Sequence, residues 1–146
     1  MTTGANALVM KEININLVRR ALKARQEATK QQIAEATGLS VVTVGTILQK
    51  LIDAHIAFDV GVVASMGGRP AQLFRFNADY SHVLVLFTRE QNGMDMLYVR
   101  VANLNGVCVY AVESPLGEIN LRAFEPFIDA ALQEYASIRA IGFGLP

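Results

Sequence analysis

Between Lys30 and Leu51 the chain reads KQQIAEATGLSVVTVGTILQKL, and no other stretch limits the fold as tightly. Ile33 and Ala34 share one face of a short helix, and Gly38 interrupts the pattern where the chain must reverse. Val44, Ile47, Leu48 and Leu51 then recur at helical spacing on a second helix. Ala34 is small where two helices cross closely, and Gly38 accepts the positive φ that ends the first of them. Thr29 followed three residues later by Gln32 spells a capping box, and Ser40 stands where the second helix needs an N-cap. This is the layout of a DNA-binding helix-turn-helix, although a plain αα-hairpin in an unrelated bundle has the same period.

The residues left outside on the second helix favour the first reading. Val41, Val42, Thr46 and Gln49 are of a size to meet base edges, whereas an ordinary solvated helix carries Lys and Glu there. Ser40, Thr43 and Lys50 flank them and, with Arg20 upstream, are expected to contact or approach phosphates. Gly45 lies inside the helix at a cost of about 1 kcal/mol relative to Ala. Close approach of the backbone to DNA and simple tolerance both account for it.

The flanks extend the pattern. From Met10 to Gln26, Ile13, Leu17, Val18, Ala21 and Leu22 form an amphipathic seam, with Arg19, Arg20, Lys23 and Arg25 outside it. That basic cluster reads equally as a phosphate-facing or a solvated face. Residues 1–9 carry no pattern and read as partly disordered. Ala57 to Val63 and Ala71 to Asn77 are strands joined by a turn, so 1–77 is expected to be a winged helix-turn-helix domain. At the turn SMGGRP, Arg69 suits a narrow minor groove, where negative potential is enhanced, while a glycine-rich charged tip also occurs for solubility alone.

Net charge hides an asymmetry. Lys+Arg and Asp+Glu balance at 13 each, but residues 1–70 hold eight basic against five acidic and the remainder five against eight. A basic first half beside an acidic second half fits a DNA-binding module joined to something that does not touch DNA. Cys108 stands alone in an apolar run, which excludes an internal disulfide or multi-cysteine zinc site and reads as a small buried residue. No signal peptide or membrane-length apolar run appears, so the expectation is a soluble, cytoplasmic protein without membrane contact.

The run through GLSVVTV and GGRP to FRFNADYSHVLVLF resembles the N-terminal part of the ROK family, a group of repressors and sugar kinases, and the likeness lies with the repressor branch. The resemblance implies a winged helix-turn-helix followed by an actin-like, sugar-kinase-type fold. Its most specific element is the combination of the GRP turn with Asn77-x-x-Tyr80 before a hydrophobic strand. Kinases of the family carry an Asp-x-Gly-Gly-Thr phosphate loop; the matching LFTREQNGMDM lacks it, so ATP binding and kinase activity are not expected. The chain stops at GFGLP, before the part in which the family places its sugar-binding Glu/His residues and cysteine-rich zinc motif.

The second half has its own order. His82 to Thr88, Asp95 to Ala102 and Val107 to Glu113 read as strands, Leu121 to Tyr135 as a helix burying Phe124, Phe127, Ile128, Ala131 and Leu132, and Ile138 to Phe143 as a strand made parallel by the crossover. The expected class is therefore α+β, with 78–146 a truncated β-β-β-α-β subdomain resembling the start of the actin-like fold. One helix on four strands leaves a face open, and Leu84, Leu86, Leu97, Val99 and Val109 are its candidates for a homodimer contact.

Neither His55 and His82 nor Asp95, Glu113 and Glu118 form a metal or catalytic set, so no enzyme, metal or cofactor is expected. The leading expectation is a sequence-specific regulator of transcription, a repressor of sugar-related genes, binding double-stranded DNA as a homodimer. The alternative is a sensor of sugars or sugar phosphates, or a catalytically dead kinase-like remnant acting through protein contacts. A pure interaction module that uses the helix pair for docking is the third reading.

Overall fold

The computed structural model describes residues 3–64 and 70–144. These divide into two compact units, Met1–Asn77 and Ala78–Pro146. In the first, α1 (Thr3–Arg25), β1 (Glu27–Thr29), α2 (Lys30–Thr37), α3 (Val41–Asp53), β2 (Ala57–Val63) and β3 (Ala71–Phe76) follow in order. The strands form an antiparallel sheet, β1-β3-β2, with Phe74 and Phe76 of β3 buried. They share that core with Val18 and Leu22 of α1, Ile33 of α2 and Leu48 of α3.

Local chemistry sets the ends of α2 and α3. The Thr29 amide donates to Gln32 Oε1 at 2.9 Å and the Gln32 amide returns to Thr29 Oγ1 at 3.3 Å, a closed capping box. Gly38 stops α2 at φ 72°, a conformation that L side chains avoid. Its amide reaches the Ala34 carbonyl at 2.9 Å. Ser40 Oγ accepts the Thr43 amide at 3.1 Å and starts α3.

Three features depart from the sequence reading of this unit. First, α1 begins at Thr3, within the stretch read as patternless, and Ile13 and Leu17 of the expected seam are exposed. Second, β1 was not anticipated: three residues become a strand only because β3 offers Leu73 to Arg75 as partners. Third, Gly45 abuts α2, and a Cβ there would meet Lys30 Cε at 3.5 Å, an ordinary contact. Gly45→Ala is accordingly expected to stabilise the protein by about 1 kcal/mol through helix propensity, read as a raised thermal midpoint.

β2 and β3 are pinned to each other by side chains as well as by their backbone pairing. Asp59 Oδ1 accepts the Gly61 amide at 2.9 Å, and the Gln72 side-chain amide donates to Asp59 Oδ2. The Gln72 bond, followed by the Gly61 amide, holds the Asp59 carboxyl below its ordinary pKa, because both donors favour the charged form. They brace the irregularity between Asp59 and Gly61.

The second unit opens with a 3-10 turn, Ala78–Tyr80, and then forms β4 (His82–Gln91), β5 (Met94–Asn103), β6 (Cys108–Leu116), α4 (Leu121–Glu134) and β7 (Ile138–Gly144). The sheet order is β6-β5-β4-β7, antiparallel except for the parallel β4–β7 pair. Asn120 caps α4 by accepting the Ala123 amide at 3.0 Å, and Phe124 and Ala131 are buried on the sheet.

Here the proposed contact face is corrected. Leu84, Leu86, Leu97 and Val99 lie in the core cluster with Phe124 and Ala131, none more than 1% exposed, because α4 folds onto their side of the sheet. Val109 sits at the irregularity opposite Val101 and Ala102 and is 37% exposed. Leu132, read as buried, is 42% exposed on α4. Cys108, read as buried, is exposed where β6 begins at the sheet edge. The other face alternates with the core: Val83, Val85 and Phe87 are half-buried there. Phe87 stacks on Tyr98 at 4.9 Å, Arg100 lies over the Tyr98 ring, and Arg100 pairs with Glu113 at 2.5 Å.

Candidate nucleic-acid interface

The site rests on the rigidity of α3. Val44, Ile47, Leu48 and Leu51 are at most 5% exposed, so the helix is held along its inner face and presents the other outward. Helical spacing puts Val42, Thr46 and Gln49 along the outer line, and Val42 is 81% exposed, an apolar side chain left in water on that face. Val41 is turned further in, at 41%. Ser40 and Lys50 are exposed and Thr43 is half-buried. The structure thus gathers seven of the nine residues singled out from the sequence on or beside one helix.

Their polar atoms are held by neighbours one turn away. Ser40 Oγ lies 2.8 Å from Thr43 Oγ1, and the Thr46 hydroxyl donates to the Val42 carbonyl at 3.2 Å. The Gln49 amide donates to Asp53 Oδ1 at 2.9 Å, which orients its plane. A primary amide has two N–H donors and a carbonyl acceptor, so this bond leaves the face of Gln49 able to make the bidentate contact that an adenine edge accepts. Asp53 was not anticipated, although its i+4 spacing from Gln49 is the signal for such a bond.

The remaining two candidates stand apart. Arg20 is exposed on α1, on the side turned away from buried Val18 and Leu22. Arg69 lies outside the described residues, and with it the expected minor-groove contact. Instead, the N-terminal half of α1 brings Lys11 and Asn14 to α3. They face Thr43, Thr46 and Lys50 across an open groove of about 550 Å³. Lys11 and Asn14 lie i, i+3 within the helix expected from Met10, but nothing local in the sequence pairs them with α3.

Among the described residues, no group of three or more His, Cys, Asp or Glu side chains is placed to hold a metal ion. No helix among them is long and apolar enough to cross a membrane.

The architecture is mixed α+β, with four helices and two sheets among the described residues. It is similar to a solved structure of a ROK family transcriptional regulator, a homologue of the E. coli Mlc protein. The TM-score is 0.59 at 21% identity, over 94% of this chain and 36% of that one. The likeness is one of fold, and this chain spans about a third of the other's length. No family model matches the sequence, and no curated protein matches it.

Proposed function

We propose that the protein is a sequence-specific DNA-binding regulator of transcription. The observation that carries this reading is the outer face of α3: an exposed line of Val42, Thr46 and Gln49, uncharged and rigidly backed, with Lys50 beside it. In this reading the first unit is a winged helix-turn-helix. α3 enters the major groove; Val41, Val42, Thr46 and Gln49 meet base edges and Ser40, Thr43, Lys50 and Arg20 approach phosphates. Arg69, at the turn between β2 and β3, reaches the minor groove.

The likeness in fold to a ROK family regulator supports the same reading and extends it. In this reading the protein is a repressor of sugar-related genes, and its second unit corresponds to the start of an actin-like domain. A single module of this size covers little DNA, so the protein acts as a homodimer on a two-fold site, with the second unit contributing to dimerisation. Sensing of a sugar or sugar phosphate is the alternative role for that unit.

Selection of bound fragments from genomic DNA by the purified protein, followed by gel-shift titration over a range of salt, tests the proposal. Enrichment of a shared sequence with affinity that falls as salt rises is the expected result. Absence of salt-dependent binding to any fragment would overturn it.

A further inference from the structure

We infer that the groove between α1 and α3 seats the phosphodiester backbone of duplex DNA, so that Lys11 and Asn14 belong to the binding interface together with α3. The inference deepens the DNA-binding reading and rests on it. The lining of the groove carries the argument. Lys11 and Asn14 come from α1, Thr43, Thr46 and Lys50 from α3, and no carboxylate lines it. Two ammonium groups, the Asn14 amide and the Thr43 hydroxyl are donor types that hold phosphate oxygens, and the absence of opposing acid in the lining leaves the charge of both lysines available to an anion.

The position matters as much as the chemistry. A helix lying in the major groove is bordered by the two sugar-phosphate strands that form its walls. Thr46 belongs both to the outer line of α3 and to the groove wall, and Val42 does the same one turn earlier. A strand following the groove would therefore run directly beside bases read by α3. Lys11 and Lys50 would then hold it from opposite sides. Met10 and Ala7 supply apolar surface for the sugar edges. In this arrangement the first turns of α1, which make no core contribution comparable to Val18 and Leu22, have a binding role.

The test uses the full chain in fluorescence-anisotropy titrations over a salt series, with a selected duplex and a random-sequence duplex of equal length. Lys11→Ala is expected to lower the slope of log affinity against log salt by about 0.9 in magnitude, one phosphate contact, and to weaken both duplexes by the same factor. Lys11→Arg is expected to restore the slope. Lys11 is exposed, so the variant folds, and a thermal melt checks this. If the parent binds and Lys11→Ala leaves slope and affinity unchanged, or weakens only the selected duplex, the groove does not hold the backbone and the reading of α3 stands. If the parent binds neither duplex, both inferences fall.

Discussion

Val42→Glu is expected to lower affinity for a selected operator by on the order of a hundredfold while leaving the fold intact. The two halves of this expectation have separate causes. Val42 is 81% exposed, so its replacement removes almost no packing, and it lies at the second position of α3, where a carboxylate is favoured by the helix dipole. Glu is also a better helix former than Val. Against DNA, the same carboxylate would face the phosphate-lined major groove, and like charges brought together at an interface cost several kcal/mol, of which about 2.7 kcal/mol is already a factor of a hundred. An anisotropy titration beside a thermal melt reads both halves. Unchanged affinity would remove the outer face of α3 from the interface.

Leu97→Ala is expected to destabilise the second unit by about 2–5 kcal/mol, the cost of opening a cavity where a large side chain is fully enclosed. Leu97 is 0% exposed in mid-strand β5 and belongs to the cluster closed by Phe124 and Ala131 of α4. Small domains are marginally stable, so a loss of this size should shift the denaturant midpoint strongly. A variant with an unchanged midpoint and weakened self-association would return Leu97 to the contact surface where its sequence pattern first put it.

Set side by side, Val42 and Leu97 show where sequence reasoning reaches. The outer line of α3 was legible because a helix is a local object: the spacing of Val44, Ile47, Leu48 and Leu51 defines the inner face, and the outer one follows. The caps were legible for the same reason. Thr29 with Gln32, Gly38 with Ala34, and Ser40 with Thr43 each satisfy a backbone group within four residues. Alternation in β4 and β5 was equally legible, since successive side chains in a strand point to opposite faces. It says that Leu84, Leu86, Leu97 and Val99 share a side, and nothing about what covers that side.

The candidate site divides in the same way. Seven of its residues lie within Ser40–Lys50, where spacing alone brings them together. Lys11 and Asn14 are distant in sequence from Thr46 and Lys50 and meet them only through the packing of α1 against α3. β1 belongs with them, because Glu27 to Thr29 extends only to satisfy a partner strand far along the chain, and Glu27 reaches Arg75 at 2.5 Å across that pairing.

The sequence by itself therefore determined most of the helices and strands, the caps of α2 and α3, and the inner face of α3, because those properties depend on groups a turn or a pleat apart. Tertiary structure alone decided that α4 closes over Leu84, Leu86, Leu97 and Val99, that Cys108 is left at an edge, and that α1 walls a groove beside α3. Each of these depends on which buried faces meet, and a chain chooses that by the total apolar surface removed from water, a quantity that no single stretch contains.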